Sequence, residues 1–514
     1  MFVRKKKNKS GSVSVQVISK KDGKYQVVKT IGSSDQLEEI ERLVLGAKDY
    51  IHNASHPSNQ PFLFSALSKT DLEIKNFLEN LSNLQIHTIG PELIFGTLFD
   101  RIGFDVIKDK LFRHITIARL AYPTSKLKTV DYLYRYKGIS VSVQTVYRFL
   151  DTLQKHYKET VEKVAFEHTK AKLKTISVVF YDMTTLYFET EDEDDLRKIG
   201  FSKDGKFQNP QIMIGLLVGE NGYPIGYDIF KGNTFEGHTL IPLLEQIQKK
   251  YGFEKPIVIA DAALLSKKNL ENLGEARYEF IIGARIKNET DDIKQEILSK
   301  AKDLKDEDSF IIKKDDSLRL IVTFSDKRKR KDAHNREKGL GKLREKVKGG
   351  KLTKESINNR GYNKFLTLKS NVEVEIDEEK AKQDEAWDGL KGYATNTELS
   401  TNQIVENYRH LWQIEKAFRI SKTDLRIRPI YHRLEKRIEA HICISFVAYT
   451  IYKELERLLY KHKADFSPKR AAELTHNMYE LEYILPHSKQ KERTLLKMDK
   501  NQQLLHRIIH ENEV

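Results

Sequence analysis

A single cysteine, Cys443, stands among 514 residues. It has no internal partner for a disulfide, which fits a reducing compartment, and Cys-rich zinc sites are excluded. Long hydrophobic runs are missing too. The longest, around His441–Tyr452, is broken by polar residues and falls short of the ~20 apolar residues a spanning helix needs. The N-terminus, Met1-Phe-Val-Arg-Lys-Lys-Lys, is basic, but no apolar segment follows it, so a secretory signal is not expected. Together these absences lead us to expect a cytoplasmic protein with no membrane contact. Tryptophan is also scarce. Only Trp387 and Trp412 occur.

What is present is length, apolar mass and positive charge. Hydrophobic residues make up 39% of the chain and aromatics 10%, enough to bury a real core and exclude wholesale disorder. The length suits about three or four domains. Lys and Arg number 89 against 74 Asp and Glu, a formal charge of +15, and such an excess points to a polyanion, with nucleic acid favoured over a membrane surface.

Residues 1–33 read as a basic β-hairpin, with nine basic side chains against one acidic in residues 1–30. The turn falls at Lys21-Asp22-Gly23-Lys24. Residues 34–170 read as a helical, DNA-binding region. Within it, 124–156 suits two helices around Gly138, the second presenting Gln144 and Arg148 at its start, where a recognition helix meets base edges. The pattern suits an ordinary αα-hairpin equally well.

From 171 to 285 the pattern becomes β-β-β-α-β-α-β, a mixed sheet with helical cover in the order of a ribonuclease-H-like domain. Residues 286–399 interrupt it with a β-rich insertion. This carries a basic tract, Lys327–Lys351, with twelve Lys/Arg against three acids; it suits either a solvated helix or a phosphate contact surface. Residues 400–460 return to helix and complete the core. Residues 461–514 read as a C-terminal helical region that could serve dimerisation. The fold class is therefore α/β: a ribonuclease-H-like mixed sheet flanked by helices, with a helical N-terminal region and a β-rich insertion.

Two strands run into an aspartate: Val178-Val-Phe-Tyr into Asp182, and Ile257-Val-Ile-Ala into Asp261. A carboxylate past a buried strand lies where α/β sheets place their ligands. Each alone suits a cap or turn. The third acid, Glu415, falls on a helical face with Ile404, Tyr408, Leu411, Phe418 and Lys422 at spacings of 4, 3, 4, 3 and 4. An acid on an apolar face is either a structural salt bridge or a metal ligand. In-line phosphodiester cleavage uses two divalent ions about 3.5–4 Å apart, and hard oxygen ligands suit Mg²⁺. Three carboxylates from separate elements suffice to hold them.

Tyr408-Arg-His-Leu-Trp-Gln-Ile-Glu415, followed by Lys422, resembles the Y-x2-R-x3-E-x6-K signature of insertion-sequence DDE transposases. Tyr181-Asp182-Met-Thr-Thr185 and Ile259-Ala-Asp261-Ala-Ala263 resemble that family's two Asp blocks, and the run Leu425–His441 is similar to the segment after its catalytic helix. The likeness implies a catalytic core with Asp182, Asp261 and Glu415 as catalytic and metal-binding residues for two Mg²⁺ or Mn²⁺ ions. It also implies metal-dependent nicking at element ends, 3′-hydroxyl strand transfer into target DNA, double-stranded DNA as partner and a homodimer on paired ends. Tyr408 and Lys422 would contact DNA phosphates. The signature's Arg position holds Leu411; Arg409 or Arg419 is expected to substitute. Trp387 suits either stacking on an unpaired base or a small satellite core, and Trp412 is expected to pack in the core. The alternatives are a nuclease or resolvase that cuts without joining, and a catalytically idle DNA-binding descendant.

Overall fold

The computed structural model describes all residues except Asp22, 56–68, Leu265, Asp316, Lys351, 359–360, 370–372, 486–487 and 512–514. Asp22 of the expected turn and Lys351 at the end of the basic tract therefore lie outside the described residues, as does Val372, where the β-rich insertion is expected to begin its strand 372–376. The chain divides into two compact units, Met1–Leu81 and Ser82–Val514. That boundary falls inside the 34–170 region expected to be one helical piece.

In the first unit, strands β1 (Phe2–Lys7), β2 (Val13–Lys21) and β3 (Lys24–Ser34) form an antiparallel sheet in sequence order. The expected hairpin is thus extended by a third, basic strand. Helices α1 (Leu37–Ser55) and α2 (Lys69–Glu79) follow. Val15 and Val17 alternate inward and bury against Ile40 and Ala47 of α1, the period-2 and period-3.6 faces meeting as their patterns require.

The second unit opens with the short strand β4 (Ile86–Thr88), then helices α3 (Thr97–Ile102), α4 (Lys110–Ala121), α5 (Lys126–Lys137), α6 (Val143–Thr152) and α7 (Lys158–Leu173). Ser125 and Ser142 cap α5 and α6, and Gly138 ends α5 in the left-handed conformation at φ 65°. The helix pair expected at 124–156 is present. Val146, Phe149 and Leu150 of α6 belong to the main core, while Gln144 and Arg148 are exposed.

The central sheet is built from β5 (Val178–Tyr187), β6 (Gln211–Val218), β7 (Pro224–Lys231), β8 (Ile257–Ala260) and β9 (Phe280–Ala284), with α8 (Leu240–Tyr251) and α9 (Lys267–Glu275) in the connections. Their spatial order is β7-β6-β5-β8-β9. The first three are antiparallel and β5, β8 and β9 run parallel, which is the ribonuclease-H-like topology. Alternate residues supply two cores: Phe180, Ile214 and Ile259 on one face, Tyr181, Met213 and Ala260 on the other. Each buried aliphatic side chain contributes ~1.5–3 kcal/mol.

Most of the insertion's strands join the central sheet. After α10 (Asp291–Ala301), strands β10 (Ser309–Lys313) and β11 (Arg319–Phe324) pair with each other. The basic helix α11 (Asp326–Lys348), the small hairpin β12 (Leu366–Leu368) and β13 (Val374–Ile376), and α12 (Glu378–Gln383) come next. Strand β14 (Leu390–Thr395) then pairs with β11 on one side and β9 on the other. One eight-stranded sheet results, β10-β11-β14-β9-β8-β5-β6-β7.

Helices α13 (Thr401–Arg409) and α14 (Trp412–Arg419) lead into α15 (Glu435–Lys461), most of whose residues from Ile438 to Leu459 are buried. Its Tyr449 hydroxyl donates to Gly222 O at 2.7 Å, locking it to the β6–β7 turn. No helix among the described residues is long and apolar enough to cross a membrane. The last stretch is not helical throughout, contrary to expectation. Between α16 (Pro468–Thr475) and α17 (Lys500–His510), strands β15 (Tyr479–Ile484) and β16 (Lys491–Leu495) form a hairpin. Its β15 pairs with β4, nearly 400 residues away, a partner no local pattern announces.

Candidate active site

Asp182 does not sit past a strand end. Strand β5 continues to Tyr187 because β6 pairs with it from Phe180 to Tyr187, Asp182 opposite Leu216. Its parallel neighbour β8 stops at Ala260, which pairs with Tyr181. Asp182 and Asp261 are therefore the next residues along two adjacent parallel strands, at the point where their ladder ends. Alternation puts Asp182 on the face of Phe180 and Asp261 on the face of Ile259, and both faces look toward the layer of α13–α15. Backbone amides hold the carboxylates: Met183 N donates to Asp182 Oδ1 at 2.7 Å, and Ala263 N to Asp261 Oδ1 at 2.8 Å.

The two acids differ in setting. Asp261 is exposed, while Asp182 is half-buried. Burial raises the Asp182 carboxyl to about 6; Lys203 opposes the shift, and Asp261 and Glu236 add to it. Lys203 Nζ lies 3.6 Å from Asp182 and 2.8 Å from Glu236, and donates to Met183 O at 2.7 Å. Burial alone would lower its pKa, but Asp182 and then Glu236 carry it above the usual lysine value. Neither Lys203 nor Glu236 was expected at the site. Both come from connections, where no periodicity marks them.

The helix carrying Glu415 is interrupted. The first segment ends at Arg409, His410 and Leu411 turn, and α14 begins at Trp412. A π-turn over Ile420–Asp424 follows. The expected unbroken face is therefore re-phased. Tyr408 and Phe418 remain buried, but Glu415 is exposed, and Trp412, expected in the core, is 52% exposed. The reading of Glu415 as an acid on an apolar face is thus corrected. Its helix packs on β5 and β6, with Ile414 and Ala417 inward. Among the described residues no three His, Cys, Asp or Glu side chains are grouped closely enough to hold a metal ion. Asp182 and Asp261 are brought together; Glu415 shares their neighbourhood without joining them.

Tyr408 links the parts. An added Cβ on Gly283 would meet its hydroxyl at 2.4 Å and Ala262 N at 3.3 Å, so a glycine in β9 makes room for the tyrosine beside the Asp261 loop. Burial raises the Tyr408 hydroxyl pKa, with Asp261 and Glu415 among the further causes. Lys391 Nζ stands 4.4 Å over its ring. Burial and then Arg328 lower the Lys391 pKa, and Glu415 opposes them. Both cations come from the insertion. Lys422 pairs with Asp204 at 3.3 Å, and Arg428 pairs with the same carboxylate. Arg409 and Arg419 are exposed, Arg409 lying 3.8 Å from Glu406. Trp387 is half-buried against the insertion's own small core and lines a cleft with Arg328 and Lys391.

A hard cation fits this donor set. Asp182 is a half-buried acid next to a second acid, and in the protein alone an ammonium is drawn to within 3.6 Å of it, as an uncompensated charge there would demand.

The family profile described as "Transposase DDE domain" matches residues 173–451, more than half of the chain. The chain belongs to the DDE-domain transposase family. No curated protein matches it. Among solved structures it is similar to the piggyBac transposase synaptic complex with hairpin DNA, at 11% identity over 75% of this chain and 76% of that one, with a TM-score of 0.39. It is also similar to the Mos1 transposase paired-end complex with left transposon end, at 14% identity over 30% and 53%, TM-score 0.16. The Mos1 mariner paired-end complex with Mn matches at 16% identity over 30% and 54%, TM-score 0.14. This transposase thus spans about half of the Mos1 chains.

Proposed function

We propose that this transposase cuts double-stranded DNA at the ends of a mobile element and joins the freed 3′-hydroxyl to target DNA, with Asp182, Asp261 and Glu415 as its catalytic acids. The observation that carries this reading is the pair Asp182 and Asp261, aligned on adjacent parallel strands and facing the helical layer that bears Glu415. Two Mg²⁺ or Mn²⁺ ions held by the three acids would stabilise charge on the attacking and leaving oxygens of an in-line displacement. In this reading the segment around α14 adjusts when DNA is present, bringing Glu415 to the two aspartates.

The remaining residues bind and orient. Lys203 keeps Asp182 paired in the metal-free protein. Tyr408, Lys391 and Arg328 present a hydroxyl and two cations to the strand next to Asp261. Lys422 holds a phosphate on the far side of Glu415, with Arg409 and Arg419 exposed to add contacts where the signature arginine is replaced by Leu411. Trp387 offers a face for an unpaired base. Gln144 and Arg148 contact duplex DNA away from the cut. A homodimer on paired ends is the assembly this reading expects.

The test uses labelled duplexes carrying the element's own ends. Asp182→Asn, Asp261→Asn and Glu415→Gln each lower Mg²⁺-dependent nicking by at least about a hundredfold, while DNA binding persists. Nicking by Asp182→Asn at the wild-type rate overturns the assignment of that residue. Nicking by the wild type without joined product supports a nuclease in place of a transposase.

A further inference from the structure

A second concave site, apart from the acids, lies between the start of α5, the end of α4 and the segment that leads into α15. Five Lys and Arg side chains and two histidines line it, and among the described residues no carboxylate does. Folded proteins seldom gather so much positive charge without a counter-ion, because like charges repel and each loses hydration.

At the rim Arg428 pairs with Asp204, but among the described residues Lys126 and Arg119 on the floor meet no carboxylate. Lys126, the first residue of α5, is 5% exposed, and its Nζ has no hydrogen-bond partner. The buried Thr124 Oγ1 just before it has none either. His441 from α15 touches Ile427 O through Nε2 at 2.9 Å and leaves Nδ1 without a partner. Arg119, also 5% exposed, reaches only carbonyl oxygens, Leu425 O at 3.4 Å and Arg426 O at 3.3 Å. His432 lies 5.5 Å from His441, ring to ring. The Lys126 ammonium, the Thr124 hydroxyl and the Arg119 guanidinium are donors short of acceptors, which an anion with several oxygens would supply. The N-terminus of the twelve-residue α5 adds its own positive field and free amides.

We propose that this pocket binds a phosphate group of a DNA strand, with Lys126, Thr124 and Arg119 as the main contacts. The source is argued from the rim. Arg428 lines the pocket and pairs with Asp204, the carboxylate that also holds Lys422. A strand passing Lys422 therefore runs on to the pocket mouth. The DNA source rests on the reading given under Proposed function, whereas the phosphate chemistry does not.

The probe for the chemistry is inorganic phosphate. In thermal melts of the full chain, phosphate raises the wild-type midpoint. Lys126→Met, which swaps an unanswered ammonium for an apolar chain of similar length, melts no lower than wild type without phosphate and binds phosphate at least tenfold more weakly. Thr124→Val, a milder change, weakens phosphate several-fold. The probe for the source is a duplex of the element's end. Lys126→Met lowers its affinity, reduces the salt slope by about one ion, and no longer responds to a methylphosphonate that weakens the wild type.

A Lys126→Met protein that melts lower in phosphate-free buffer, or a wild type with no phosphate response, overturns the proposal. A phosphate response without any change in DNA affinity overturns the DNA source and assigns the pocket to free phosphate. Asp182→Asn serves as the control that separates the two readings, since it keeps the phosphate response whether or not it nicks DNA.

Discussion

Replacing Asp182 by asparagine should make the metal-free protein more stable at neutral pH. The carboxyl rises from an ordinary 3.8 to about 6 in the folded chain, chiefly through burial. An acid with a raised pKa binds its proton more tightly when folded, so stability falls as pH climbs from about 4 to about 6 and stays low above that. Each tenfold change in proton affinity is worth about 1.4 kcal/mol, and two such steps set an upper limit of about 3 kcal/mol. The side chain is 26% exposed and already faces Lys203, so a realistic gain is about 1–2 kcal/mol. Asparagine keeps the oxygen that accepts from Met183 N, which leaves charge as the main difference. The assay is urea unfolding of both proteins in EDTA at pH 4 and pH 7.5. The gap should open only at the higher pH and narrow when Mg²⁺ is added to the wild type. An asparagine variant less stable than wild type at pH 7.5, or a gap equal at both pH values, would refute the reasoning.

Three further outcomes are expected. Gly283→Ala forces a methyl group onto the Tyr408 hydroxyl and should cost about 1–3 kcal/mol in denaturant melts; adding Tyr408→Phe should restore most of it. Asp388→Ala removes the buried partner of the Arg336 guanidinium and leaves it only Glu385 at 3.5 Å, at a cost of about 1–3 kcal/mol, read by the same melts. Glu454 accepts from Arg457 and lies 3.4 Å from both His168 and Lys172; against burial, these neighbours hold its carboxyl far below the usual range. Its contribution is therefore complete above about pH 4.5 and is lost as pH falls below that; Glu454→Gln should flatten the acid limb of the stability curve.

The ribonuclease-H-like sheet was legible because its strands are short apolar runs with clear turns between them, and the placement of Asp182 and Asp261 at one edge of it was legible because each follows such a run. The exposure of Glu415 was not legible. The turn at His410–Leu411 rotates it and Trp412 outward, and nothing in the spacing of Ile404, Tyr408 and Phe418 announces that break. Lys203 and Glu236 were invisible for another reason: they reach Asp182 from connecting loops, which carry no repeat to read. The pairing of β14 with β9 and of β15 with β4 depends on contacts between distant segments, and alternation within a strand names its face without naming its neighbour.

Because β14 lies hydrogen-bonded along β9, the 286–399 stretch is the flank of the sheet that carries Asp182 and Asp261 as well as an appendage to it. A trimmed protein that joins residue 285 directly to residue 400 would strip β9 of its outer partner and leave a bare row of amides and carbonyls one strand from Asp261. Such an open margin invites pairing with other chains. Minimal versions of this transposase would therefore aggregate unless another strand were supplied to seal that side.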